Sequence, residues 1–143
     1  MIFLVNFMKS HVALVIKNDS GEILFVQRSM NKKTLPGIWA FPSGTVEEGE
    51  SIYETAEREA FEELGVRVDS EKLFASCELL EFSVKLQFVL CKIKSGKPFI
   101  KEPDEIDKIE WMTFHDFFKR FSDEEIGHGL IWLRKQPEIW NHI

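Results

Sequence analysis

The sequence predicts an α/β layered domain, and three observations predict it. Apolar, β-branched runs recur at His11 to Lys17, Glu22 to Arg28, Phe74 to Leu80 and Ser83 to Ile93. One long helical segment between them carries glutamates at i, i+3 and i+4, and two further helical patterns close the chain. Strands mixed with helices in this way pack as layers around one core. At 143 residues, 44% hydrophobic and 13% aromatic, the chain can fill that core and is expected to form a single domain over 1–143.

Met1 to Phe7 is apolar, but Lys9, Ser10 and His11 end the run. It falls short of the ~20 residues a membrane span needs and lacks the basic start of a signal peptide. Residues 1–8 are therefore expected to form an extra N-terminal strand or extension, or to precede a true start at Met8. The next two runs flank Asn18-Asp19-Ser20-Gly21, the turn chemistry of a hairpin. Ser29 to Gly37 is polar and ends in Pro36-Gly37, so it reads as a loop. Ile38 to Phe41 is a short strand stopped by Pro42.

The central helix has legible ends. Ser51 followed by Glu54 makes a capping box, and Gly65 stands where a left-handed residue closes a helix. Tyr53, Ala56, Ala60 and Leu64 recur at helical spacing and should form the buried stripe. Phe74 to Leu80 and Ser83 to Ile93 form a second antiparallel pair. In the latter, Val84, Leu86, Phe88 and Leu90 alternate with Lys85, Gln87, Val89 and Cys91, a pattern drifting toward burial of both faces. Lys94 to Lys108 is a charged loop and Ile109 to Met112 a short strand. His115 to Phe121 and Asp123 to Lys135 read as helices, the latter with Ile126, Leu130 and Leu133 on one side.

Glu59, Glu62 and Glu63 project from one helical face, with Glu50 just before the helix and Arg58 among them. Carboxylates crowded this way repel unless a cation lies between them, and hard divalent ions prefer such oxygen ligands. The segment reads as a platform for Mg2+ or Mn2+. A merely solvated acidic helix explains the glutamates but not Gly44, Arg58 and Gly65 at their places.

These residues carry a resemblance. Gly44, five residues, Glu50, seven residues, Arg58-Glu59-Ala60, then Glu62-Glu63, Gly65 and Val66 match the Nudix hydrolase signature at every specified position. Ala60 is the smallest residue accepted at its aliphatic position. The signature covers 23 of 143 residues, and weaker similarity to short, mutator-type (MutT-like) members extends from about Lys9 to Asp116. The resemblance implies a Nudix-type α/β/α sandwich with a mixed β-sheet between helices. It also implies a divalent-metal-dependent pyrophosphohydrolase, in which water attacks phosphorus in a nucleoside diphosphate linked to another group.

By that resemblance Glu59 and Glu63 are principal metal ligands, Glu62 a ligand or water-orienting base, and the Gly44 carbonyl a further ligand. Arg58 either pairs with Glu50 and the box glutamates, which suits its fixed fork, or touches substrate phosphate. Glu105, before the strand tryptophan Trp111, stands where relatives carry a base or extra ligand, and a solvated loop carboxylate is the plain alternative. Arg28 corresponds to a phosphate-contacting arginine or is an exposed strand end. Trp39 and Phe41 lead into the box loop, where an aromatic face stacks on a base or simply packs in the core. The four histidines share no spacing and read as surface or satisfied groups. The family usually has two glycines before the spacer, where this chain has Ser43-Gly44, a departure that costs energy if the turn angles are unusual.

Net charge −6 excludes a non-specific nucleic-acid coat, which needs a basic face. Cys77 and Cys91 lack paired-ligand spacing and read as buried thiols in a reducing, cytoplasmic setting. The expected partner is a small nucleotide, with no nucleic acid and no membrane. The resemblance also suggests a homodimer, with the apolar N-terminal segment as a candidate interface. A nucleoside triphosphate split to monophosphate and pyrophosphate leads the substrates, ahead of coenzyme A or a nucleotide sugar. A nucleotide-sensing domain without turnover is the other reading, against which all four box glutamates stand.

Overall fold

The computed structural model describes residues 8–143; the expected extra strand at the N-terminus and its role as an interface lie outside the described residues. Strand β1 (Lys9–Lys17) turns into β2 (Ile23–Arg28) as expected. The Asn18 side chain accepts from the Ser20 and Glu22 amides at 3.0 and 2.9 Å, and Gly21 takes φ +80°. The two strands pair only at Lys17↔Ile23 and then splay. Two short strands fill the gap: β3 (Trp39–Ala40) on β2 and β4 (Ser43–Thr45) on β1.

Helix α1 (Ile52–Leu64) follows, then β5 (Arg67–Leu79) and β6 (Val84–Ser95), an antiparallel pair joined by a 3-10 turn at Leu80–Phe82. Strand β6 runs parallel to β1 from Lys9↔Val84 to Lys17↔Lys92. Strand β7 (Ile106–Met112) is antiparallel to β2. Helix α2 (Phe114–Arg120), a 3-10 turn, α3 (His128–Arg134) and α4 (Pro137–Trp140) complete the described chain. The result is a seven-stranded mixed sheet between helices, the α/β/α sandwich the sequence led us to expect.

Side-chain alternation builds the layers. Val12, Leu14 and Ile16 of β1 join Leu24 and Val26 against Ala56, Ala60 and Leu64 of α1. Ala13, Val15, Ile23, Phe25 and Phe88 point to the opposite face, against α2 and α3. There Phe25 stacks on Phe117 at 3.9 Å between centroids. Truncating either ring to alanine would cost about 3–5 kcal/mol.

Three expectations need correction. Tyr53 is 38% exposed and not part of the buried stripe; Thr55 is buried in the first turn instead. Its hydroxyl can be buried there because it lies 2.9 Å from Glu50 Oε1 and 3.0 Å from the Ser51 carbonyl, both acceptors. The expected helix from Asp123 to Lys135 is broken into a 3-10 turn and α3. Ile126 adopts extended angles to bridge Trp39, and the Gly127 amide donates to the Trp39 carbonyl at 2.9 Å. Strand β5 starts at Arg67, well before Phe74, because register shifts near Val68, Lys72 and Ala75 scramble the alternation that would reveal it. Among the described residues, no helix is long and apolar enough to cross a membrane.

Candidate functional site

Helix α1 starts and stops as its sequence dictates. The Glu54 amide donates to Ser51 Oγ at 3.1 Å and the Ser51 amide to Glu54 Oε1 at 2.9 Å. Gly65 closes the helix at φ 65°, and an added Cβ there would meet Phe99 Cε1 at 2.2 Å. With the sheet-facing stripe buried, the glutamates fall along the remaining edge.

Arg58 organises them. Its Nε donates to Glu50 Oε2 at 2.7 Å and its Nη2 to Glu50 Oε1 at 3.1 Å, a two-pronged grip. Nη1 reaches Glu59 Oε1 at 2.8 Å and Glu62 Oε2 at 3.1 Å, and Nη2 also donates to the Thr45 carbonyl at 3.1 Å. Arg58 thus ties the helix edge to β4. Its hydrogen bonds, together with the Glu47 amide, hold the Glu50 carboxyl at about 2, below its ordinary 4.5.

Glu63 is the opposite case. Its Oε2 is sealed from solvent and has no hydrogen-bond donor among the described residues. Burial first, then contact with Glu59, then the charges of Glu59, Glu102 and Glu105 push its pKa well up. Glu102 is raised too, by burial and then by Glu105, Glu59 and Glu62. Glu102 and Glu105 come from the loop after β6, which docks on the C-terminal end of α1. The Phe99 amide donates to the Leu64 carbonyl at 3.1 Å and the Lys101 amide to the Glu63 carbonyl at 3.2 Å.

Gly44 faces the same cluster. A Cβ on it would lie 2.2 Å from Glu59 Cδ, so only a bare backbone lets β4 and that side chain approach. Ser43 is unstrained: it pairs with Ala13 in β4 and has no positive φ, so the departure from a double glycine carries no cost.

The remaining expected site residues are divided. Glu105 is near the cluster, with its carboxylate paired to Lys32 and its carbonyl accepting from the Ser29 amide at 2.9 Å. Arg28 is apart from it, clipping the 29–37 loop through the Leu35 carbonyl (3.2 Å) and the Thr34 carbonyl (2.9 Å). Trp39 is buried against Phe121 at 5.4 Å. Phe41 stacks on Phe25 at 5.5 Å and also borders a cavity of about 250 Å³ on the sheet face opposite α1. Arg28, His11 and His128 line the same cavity.

Sequence reading missed Glu102, Lys32 and the Thr45 carbonyl as neighbours of the cluster. Glu102 had no signal beyond its place among other acidic residues, because loop docking is a long-range event.

The cluster fits a hard cation in donor chemistry. It offers carboxylate oxygens, a sealed acceptor without a donor at Glu63, and a cradle at Gly44 that a Cβ would fill. As the side chains stand, no three His, Cys, Asp or Glu groups among the described residues converge tightly enough to hold an ion. Arg58 draws Glu59 Oε1 and Glu62 Oε2 to itself.

Comparison with known proteins agrees with this architecture. The NUDIX domain model matches residues 8–131. An uncharacterized Nudix hydrolase of Yersinia pestis is 30% identical over 129 residues, covering 87% of this chain and 71% of its own. Nudix hydrolase 2 of Arabidopsis thaliana is 29% identical over 112 residues, covering 76% of this chain. This chain spans only 40% of that plant protein's length. Among solved structures, the MutT protein from Methanosarcina mazei Go1 superposes with a TM-score of 0.71 at 23% identity, covering 94% of both chains.

Proposed function

The chain belongs to the Nudix family, and from that premise we propose that it is a single-domain pyrophosphohydrolase acting on nucleoside diphosphate derivatives. Its leading substrate is a nucleoside triphosphate, cleaved to monophosphate and pyrophosphate. The observation that carries this reading is the sealed Glu63 Oε2, without a donor among the described residues, beside Glu59 and with Glu102 and Glu105 close enough to add their charge. Such a concentration of negative charge is costly in a protein of no other purpose and suits a site completed by a divalent ion.

Glu59, Glu62, Glu63 and the Gly44 carbonyl would hold magnesium or manganese. When bound, the ion neutralises diphosphate charge and acidifies coordinated water. Glu62, whose side chain is half exposed, would orient the attacking water or accept its proton. Arg58 and Glu50 keep the helix edge in register with β4. Glu105 acts as a reserve base or ligand, with Lys32 balancing its charge.

The test is hydrolysis of nucleoside triphosphates in magnesium, with products resolved by phosphorus NMR, for the wild type and Glu63→Gln. Monophosphate plus pyrophosphate, abolished by chelator and by the substitution, is expected. Turnover indifferent to both would overturn the assignment.

A further inference from the structure

The loop from Ser29 to Gly37 joins β2 to β3 and touches both sides of the sheet. At its base the Ser29 amide donates to the Glu105 carbonyl at 2.9 Å and the Met30 amide to Asp107 Oδ2 at 3.1 Å. These ties anchor its first residues beside β7. Farther along, Arg28 donates to the Thr34 and Leu35 carbonyls. Leu35 is held there at φ 46°, a left-handed angle that a residue with a side chain adopts at a cost. Between the two anchors, Lys32 Nζ pairs with the Glu105 carboxylate.

That pair lies at the margin of the carboxylate cluster, where Glu105 is close enough for its charge to bear on Glu63 and Glu102. The Lys32 and Glu105 side chains are 26% and 50% exposed, and an ion pair this open to water is weak. A divalent ion among the glutamates acts on it twice, with the same sign. It attracts the Glu105 carboxylate and repels the Lys32 ammonium. Leu35 and Arg28 also line the cavity of about 250 Å³ on the far face, so the loop carries any change across the sheet.

Resting on the metal-dependent reading above, we propose that Lys32 is a positioning residue that latches this loop through Glu105 and competes there with the divalent ion. With the pair made, residues 32–36 are fastened to the cluster's margin and Leu35 keeps its strained angle. With the ion bound, the latch is broken and the cavity wall formed by Leu35 relaxes. Coupling of this kind is reciprocal, so the latch in turn opposes the ion.

The experiment places a spin label on Lys33→Cys, an exposed position beside the latch. Cys77 and Cys91 are buried and escape the label. Magnesium should raise the label's mobility over the concentrations at which calorimetry shows it binding. Lys32→Met and Glu105→Gln should each leave the label mobile before magnesium is added, and Lys32→Arg should restore the response. Manganese affinity of the unlabelled protein, read by electron paramagnetic resonance, should tighten about fivefold in Lys32→Met because a competing cation is gone. A lysine that only braces the loop would leave that affinity unmoved. Mobility indifferent to magnesium, or manganese binding unchanged or weakened in Lys32→Met, would overturn the proposal. If both responses appear and no nucleotide is hydrolysed, the substrate reading alone falls.

Discussion

Arg58 and Glu50 lock in a parallel, two-pronged ion pair, with Nε to Oε2 at 2.7 Å and Nη2 to Oε1 at 3.1 Å. The remaining guanidinium nitrogen bridges Glu59 and Glu62. One cation thereby orients three carboxylates, and only one of the three absorbs its charge in a bidentate contact. The positions of Glu59 and Glu62 therefore depend on a residue that need not touch substrate.

Arg58→Lys is expected to weaken manganese affinity about 10–100-fold, the usual cost of losing a group that orients metal ligands. Lysine keeps the charge but cannot make the fork. Manganese titration by electron paramagnetic resonance reads the affinity directly. Unchanged binding would mean the glutamates hold their places without the fork.

Acid stability should report on Glu50. Its folded pKa, about 2, lies below the ordinary 4.5, so the folded state favours the charged form. That contribution is present above pH 4.5 and is lost as pH falls through the range down to about 2. Thermal melts of wild type and Glu50→Gln should therefore converge in acid and separate at neutral pH, with the wild type the more stable. Parallel melting curves across that range would refute the pairing as a source of stability.

Glu63 has the opposite sign. Its folded pKa is raised, so the folded state favours the neutral form. The associated stability is present in acid, below the unfolded pKa, and is lost as pH rises through the folded value. Without divalent ions, Glu63→Gln should raise Tm at pH 8, even though it removes activity. Magnesium binding to the wild type should release a proton. Calorimetry in two buffers of different ionisation enthalpy measures that release; a lower Tm for the variant would contradict the account.

Gly44→Ala separates activity from stability. The new Cβ would collide with the Glu59 carboxylate, the far end of a flexible side chain whose Oε1 accepts from Arg58 Nη1. Glu59 can swing away, so the stability cost should stay below ~1 kcal/mol, under the usual overpacking range of 1–3. Turnover should fall sharply because the carboxylate moves. A large Tm loss with intact kcat would be the reverse of this expectation.

The thiols should be inert in the native protein. Burial pushes Cys77 up to about 11, and burial with nearby Glu57 and Glu71 pushes Cys91 to about 12. The thiolate is the reactive form. A disulfide reagent at pH 8 should label both quickly in denaturant and neither in the native state on the same timescale. Rapid native labelling of Cys91 would show that β6 opens readily.

Local features were legible in the sequence, and distant ones were not. The capping box of Ser51 and Glu54, the left-handed Gly65 and the carboxylate spacing are all decided within one helix, so the expected platform appears at its expected place. The hairpin turn at Asn18 to Gly21 is equally local. Strand β4 escaped notice because a three-residue strand has too little pattern, and its existence depends on the splaying of β1 from β2. Glu102 escaped because only docking of its loop against the carbonyls of Glu63 and Leu64 makes it a neighbour of the cluster. Phe41 could be read as core or as pocket wall, and it borders both.

The parallel partnership of β1 with β6 governs how this protein must be born. Lys9 waits for Val84 and Lys17 for Lys92, so the first described strand to leave the ribosome keeps one open, apolar edge while most of the chain is still being made. Closure over such sequence separation is slow by nature. Nascent chains stalled before Val84 should therefore be the form most prone to aggregate and most dependent on chaperones.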